Sequence, residues 1–419
     1  MIDRSIAPSF TRSTDFELIR PEELTLPNGA KVFFVSGGTQ SVIRVEIILK
    51  AGRWFESVWG ASHFSSQLLS KGTSRKSSFE IAQIFDQYGA HFEISPGLDI
   101  VSIALYTLTK NLRPTLALVR ELLEDSVFPE KELTQSRNIY LQNLKVNNEK
   151  TSFQASKLFR KKLFGENHPY GKELEAEDVT ALTTEQLKEH YTSLGKDFTL
   201  IVSGKVDDAG KQNIIEAFSA LPHRVVSEKQ ISTDTINTLH ERISKKGSVQ
   251  SSIRMGRKAI ARSHADYASV LFLSHILGGY FGSRLMKNIR EDKGLSYGIY
   301  ASLHTLQHDN YTVIGADVNN ENLDLTFEEI RKELKRLRTE LIDAEELEIA
   351  RNHFIGSLQA EITTPFAHAD KIKNIFLFNL SQDYYQKLIN TIDGIQGEEL
   401  IGIAAKYFAE DSFIEVAVG

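Results

Sequence analysis

The sequence predicts an α+β protein of two similar halves, each a mainly antiparallel sheet covered by helices. Three observations predict it. A short motif recurs halfway along the chain, the same order of strands and helices follows each copy, and 419 residues at 41% hydrophobic exceed what one core usually holds. The motif Gly37-Gly38-Thr39-Gln40-Ser41-Val42-Ile43-Arg44 lines up with Gly247-Ser248-Val249-Gln250-Ser251-Ser252-Ile253-Arg254. Gly, Gln, Ser, Ile and Arg recur at a constant offset of 210.

Each element has a local reason. Val42 to Leu49 is dense in Val and Ile but alternates poorly, which predicts a strand covered on both faces. Ser62 to Leu69 reads as a helix. Ser78 to Tyr88 is a second, with Ile81, Ile84 and Phe85 on one face and Gly89 placed to end it. His91 to Ile94 and Ile100 to Tyr106 pair around the Pro96-Gly97 turn. A helix from Leu112 to Glu124 follows, with Leu116, Val119, Leu122 and Leu123 spaced for the core. The second half retraces this order. A strand begins near Ile253, helices cover Tyr267 to Ile276 and Arg284 to Arg290, and strands cover Leu295 to Leu303 and Tyr311 to Val318. Helices from Leu325 to Leu337 and Ala344 to Leu358 close the pattern, the last with an acidic first turn suited to the positive end of a helix. Such repeated units place helices on one face of each sheet. The polar stretch Ser227 to Asp234 is the expected linker, giving halves 1–226 and 235–419.

Composition narrows the function. A net charge of -6 without clustered Lys and Arg gives no support for a nucleic-acid partner, and the stretches Arg160-Lys161-Lys162 and Lys332 to Arg336 read as solvated helix faces. The chain has no cysteine, so disulfides, thiolate ligands and cysteine nucleophiles are excluded. The first ten residues lack an apolar core and do not read as a secretory signal, and no stretch is apolar enough to span a membrane. The expected location is the cytoplasm, or the periplasm if a leader has been removed.

The most informative segment is Gly60-Ala61-Ser62-His63-Phe64-Ser65-Ser66-Gln67-Leu68-Leu69-Ser70-Lys71-Gly72-Thr73. It resembles the core motif of the pitrilysin-type, or M16, metallopeptidases, which include the mitochondrial processing peptidase. Their zinc motif is His-x-x-Glu-His, set in a frame like Gly-x-x-His-Phe-x-x-x-Leu-x-x-Lys-Gly-Thr. Residues at i, i+3 and i+4 share one helix face, so two histidines hold zinc beside a glutamate that activates water. The resemblance extends over nearly the whole chain and implies half of an M16-type clamshell. It also places His63 at the first ligand position. Ser66 replaces the general-base glutamate, Gln67 replaces the second histidine, and Asn143 stands where a further glutamate ligand is expected. A hydroxyl does not collect a proton near neutral pH as a carboxylate does, and amide oxygens are poor zinc donors. The expectation is therefore no catalytic residue and no metal in this chain. The remaining histidines, among them His91, His168, His190, His304, His308, His353 and His368, show no ligand spacing.

The second half carries Leu277-Gly278-Gly279-Tyr280-Phe281-Gly282-Ser283-Arg284-Leu285 and Ile289-Arg290-Glu291-Asp292-Lys293-Gly294-Leu295-Ser296-Tyr297. As a phosphate cradle the first block lacks the Gly-Lys-Ser/Thr ending. The resemblance gives it another meaning. An Arg/Tyr pair that family members direct toward substrate maps onto Arg290 and Tyr297, and Gly278, Gly279 and Gly282 match the glycine-rich loop of non-catalytic partners. The implied role is a peptide-binding, non-catalytic subunit whose zinc lies in a partner chain bearing His-x-x-Glu-His. Two alternatives stand beside it. One is a peptide-binding or chaperone-like homodimer. The other is a hydrolase with a rewired metal site using Glu80 or Glu93. A serine mechanism at Ser66 lacks the nucleophile elbow and an acid partner.

Overall fold

The computed structural model describes residues 12–227, 229–231, 240–409 and 412–419. Part of the expected linker, residues 228 and 232–234, lies outside them. The first half runs β1 (Glu22–Thr25), β2 (Lys31–Ser36), β3 (Val42–Leu49), α1 (Ala61–Leu68), α2 (Ser78–Gln87), β4 (His91–Pro96) and β5 (Val101–Leu108). It continues with α3 (Leu112–Asp125), α4 (Glu130–Asn148), α5 (Thr151–Phe164), α6 (Ala176–Ala181), α7 (Thr184–Leu194), β6 (Phe198–Gly204) and α8 (Asp208–Ser219). The second half runs β7 (His240–Ile243), β8 (Gln250–Lys258), α9 (Tyr267–Gly278), β9 (Ser296–Thr305) and β10 (Asn310–Asn319). It ends with α10 (Leu323–Thr339), α11 (Ala344–Ala360), α12 (Pro365–Leu377), α13 (Tyr384–Gly394), α14 (Gly397–Tyr407) and β11 (Ile414–Val418).

The strands form two sheets, ordered β1-β2-β6-β3-β5-β4 and β7-β11-β8-β10-β9. Apart from β1 the orders are identical, with β2, β6 and β3 matching β7, β11 and β8. Each sheet is antiparallel except for one parallel pair, β2 with β6 and β7 with β11. Both parallel pairs join strands far apart in sequence. The fold is thus the expected α+β pair of halves.

Cover on both sheet faces corrects the expectation of helices on one face alone. In β3, Ile43, Val45, Ile47 and Leu49 pack into the helix layer of their own half. The alternate residues face the other way, where Ile48 joins Phe33, Val35 and Ile201 around Ala369 and Ile372 of α12. Helix α5 does the reverse. Its Phe159, Leu163 and Phe164 pack with Val313, Ile414, Val416 and Val418 of the second sheet. The halves have exchanged one helix each. This explains why Val42–Leu49 shows no clean period: every position but the first is buried.

The repeated arginine holds these exchanged helices. Arg44 Nη2 donates to the Phe366 carbonyl at 3.1 Å and pairs with Asp370 at 2.9 Å. Arg254 Nη2 donates to the Ser152 carbonyl at 3.4 Å, and its Nε to Ser156 Oγ at 3.1 Å. In each case the partners are the second residue of the helix and the residue four further on. Two residues beyond Arg254 on the same strand is Gly256, where a Cβ would come within 2.7 Å of the Phe159 ring.

A further seam joins the halves beyond β9. His308 stacks on Trp54 with ring centroids 3.9 Å apart, and the Gln307 N–H donates to Asp99 at 3.0 Å. His168 packs edge-on against the same indole and against Tyr170, and His304 stacks on Tyr311. These histidines serve as aromatic packing.

Candidate functional site

Helix α1 begins abruptly because Gly60 adopts φ 90°, and the Glu56 carboxylate accepts from the N–H groups of Gly60 at 3.1 Å and Ser62 at 2.7 Å. An anion at a helix N-terminus satisfies donors the helix leaves open. Burial nonetheless raises the Glu56 carboxyl above its usual range, the N–H bonds opposing the shift. With its start fixed, α1 turns His63, Ser66 and Gln67 toward one cleft.

Helix α4 forms the opposite wall with Ser136, Ile139, Tyr140 and Asn143, and β4 adds Phe92 and Ile94. The cleft measures about 560 Å³. All four positions that the resemblance assigns to a zinc site, His63, Ser66, Gln67 and Asn143, therefore share one cavity. His63 packs edge-on against Phe64 and Tyr140, with centroids 5.0 and 5.3 Å away. Burial, reinforced by the charge of Arg53, pushes its pKa down to about 4, so the ring is neutral at physiological pH. Its Nε2 is buried and, among the described residues, has no hydrogen-bond partner. Burial likewise raises Tyr140, to about 12. Sequence reasoning missed Tyr140, although it lies one turn before Asn143 on the same helix face.

This donor set does not fit zinc. One imidazole, a buried hydroxyl and two neutral amides replace the charged and imidazole ligands the ion needs. Among the described residues, no three His, Cys, Asp or Glu side chains gather as a metal site. Nor do the carboxylates of the rewired alternative reach the cleft. Glu80 closes the capping box of α2, accepting from the Ser77 N–H at 2.8 Å. Glu93 sits between Phe92 and Ile94 on β4, so it points to the opposite face, where Ser95 donates to it at 3.0 Å.

The second group of expected residues lies elsewhere, since none of Arg290, Tyr297, Gly278, Gly279 or Gly282 lines this cleft. Residues Met286–Asp292 form a π-helical segment where an ordinary helix was expected. It presents the Arg290 guanidinium 4.6 Å from the Phe281 ring centroid and 5.0 Å from that of Tyr297. Both rings are exposed, Tyr297 by 90%. Phe281 is a participant the sequence reading did not single out. The glycines have separate reasons. A Cβ on Gly278 would come within 2.4 Å of the Ala301 nitrogen, so α9 can end against β9 only with glycine there. Gly279 lies as tightly against His275, and Gly282 against the Tyr280 ring. Under this loop His275, Tyr280 and His353 stack with centroids 4.8–5.1 Å apart, so His353 is not isolated in space.

Residues 31–176 match the family model described as insulinase (peptidase family M16), and residues 181–354 match that of the peptidase M16 inactive domain. The chain belongs to the M16 peptidase family. It is 24% identical to an uncharacterized zinc protease, YmxG, of Bacillus subtilis over 92% of this chain and 95% of that one. It is 21% identical to the non-peptidase homolog YmxG of Helicobacter pylori over 81% and 80% of the respective chains. A crystal structure of a peptidase M16 inactive domain from Pseudomonas fluorescens superposes with a TM-score of 0.88 at 23% identity, covering 95% of this chain and 98% of that one. Within this M16 frame the chain has a degenerate zinc position and no metal-binding cluster among its described residues. No helix among the described residues is long and apolar enough to cross a membrane.

Proposed function

We propose that this chain is a non-catalytic, peptide-binding M16 subunit that supplies cleft surface to a partner chain bearing His-x-x-Glu-His and zinc. One observation carries the reading. The cleft at His63 has lost the groups that would hold metal and activate water, while Arg290 and Tyr297 are present with Phe281 packed beside them. Flanking rings restrict a guanidinium and leave its edge N–H groups free to donate to a peptide carbonyl or carboxylate. The exposed Tyr297 hydroxyl suits a carbonyl oxygen that gains negative charge during attack by water. In this reading the halves are residues 1–226 and 235–419, and an extended peptide lies along a sheet edge, β4 or β9, using main-chain hydrogen bonds. The relative described as a non-peptidase homolog is consistent with it.

The test is reconstitution. The purified chain is mixed with its candidate zinc-bearing partner and hydrolysis of a quenched fluorescent peptide is followed. The mixture should cleave faster than the partner alone, and Arg290→Ala or Tyr297→Phe should remove most of the gain. A mixture no faster than the partner alone overturns the proposal.

A further inference from the structure

We propose that the cleft beside His63 recognises a carboxylate on the bound peptide, with Lys71 supplying the charge and the His63 imidazole a hydrogen bond. The inference rests on the peptide-binding reading and names what that cleft selects.

A charge census carries it. Among the residues lining the cleft there is no Asp or Glu, and Lys71 is its one charged group. Lys71 is exposed, and among the described residues its ammonium has no ion-pair partner. The carboxylates whose charge reaches Tyr140 from behind are Glu173, Glu175 and Asp178. Each is already neutralised, by Arg160, Lys157 and Lys172 respectively. Arg53 is the nearby base whose charge is felt at both His63 and Tyr140; its Nη1 donates to the Lys172 carbonyl at 2.7 Å, and its charge also meets that of Glu56 at the start of α1. The substitutions that removed a metal site have thus reversed the sign of the cavity. A pocket that would pair carboxylates with a cation now presents one lysine and neutral polar groups.

The hydrogen-bonding inventory agrees. A neutral imidazole has one N–H to give, on Nδ1 or Nε2; with the proton on Nε2, that buried atom of His63 has no partner of its own among the described residues. An unsatisfied buried donor costs free energy that an incoming acceptor removes. The side-chain amides of Gln67 and Asn143 open onto the same space. Phe92, Ile94 and Ile139 give it apolar walls, which suit the methylene stem of a glutamate and lower the local dielectric around its charge.

The experiment measures binding of dye-labelled extended peptides to the full chain by fluorescence anisotropy. One sequence is made with a central Glu or a central Gln, each with a free or an amidated C-terminus. The Glu or free-carboxylate peptide should bind about tenfold more tightly than its neutral twin, as one charge-assisted contact implies. In Lys71→Glu that ratio should fall to about one or invert, and Lys71→Met, a milder change, should also lower it. Loss of the preference on amidation alone assigns the carboxylate to the peptide terminus; loss on Glu to Gln alone assigns it to a side chain. Equal binding of all four peptides overturns carboxylate recognition while leaving peptide binding intact. A preference that survives both Lys71 variants also overturns it. Binding of no peptide overturns the peptide-binding reading itself, and this inference with it.

Discussion

Buried imidazoles set how single residues respond to acid. His63, His190 and His275 are each held by burial at about 4, against an ordinary 6.5. The unfolded chain takes up protons near 6.5 that these folded rings refuse until about 4. Their contribution is therefore complete above pH 6.5 and is lost as pH falls toward 4, on the order of 1–3 kcal/mol per ring. Glu56, raised by burial, works in the opposite sense but is one group against three. The urea midpoint should fall between about pH 7 and about pH 5; a flat or rising midpoint contradicts the assignment. A second prediction concerns the metal. The triple variant Ser66→Glu, Gln67→His, Asn143→Glu restores two imidazoles and two carboxylates to one cavity and should carry about one equivalent of zinc in metal analysis. Each single variant should carry none, and zinc in the native protein at that level would refute the reading. These positions came from the family resemblance; helix spacing explains why His63, Ser66 and Gln67 share a face, but nothing local pointed to Asn143. Phe281 and Tyr140 were not legible, because nothing in a sequence says which ring will lie over which cation or imidazole.

Among elements, the exchanged helices and the end of α9 carry the sharpest expectations. Arg44 is buried beside Glu46 and Asp370, whereas Arg254 meets neutral groups on Ser152 and Ser156. Arg44→Ala leaves the buried Glu46 with Lys373 as its remaining counter-charge and should cost about 2 kcal/mol, and Arg254→Ala about 1 kcal/mol, measured by urea denaturation. Equal costs would show that the counter-charge is immaterial. Glycines give a matched pair. Gly278→Ala forces backbone of β9 to move and should destabilise by about 1–3 kcal/mol. Gly356 is exposed within α11 with open space around it, so Gly356→Ala should stabilise by about 0.5–1 kcal/mol. Element type was readable from periodicity for α3 and from the density of Val and Ile for β3. Periodicity identifies an apolar face but not the sheet that will cover it, so the crossing of α5 and α12 was hidden. The π-helical turn at Met286–Asp292 was hidden too, since its residues are ordinary helix formers.

For the whole molecule, the repeat at offset 210 disclosed the two-half plan, and the matching strand orders explain its origin in the arginine that each half uses to grip the other's helix. The parallel pairs β2 with β6 and β7 with β11 could not be read, because they depend on chain reversals more than a hundred residues long. The exchange has a consequence for how the polypeptide could be divided. Each half lends away a helix whose aromatic side chains would face water in isolation and receives one it cannot make itself. A chain severed between residues 231 and 240 should therefore behave as two mutually dependent fragments. Expressed singly they should aggregate; co-expressed, they should co-purify as a one-to-one pair with peptide affinity intact. The covalent connection would then be a convenience of synthesis, and the reciprocal loan of helices the true fastening.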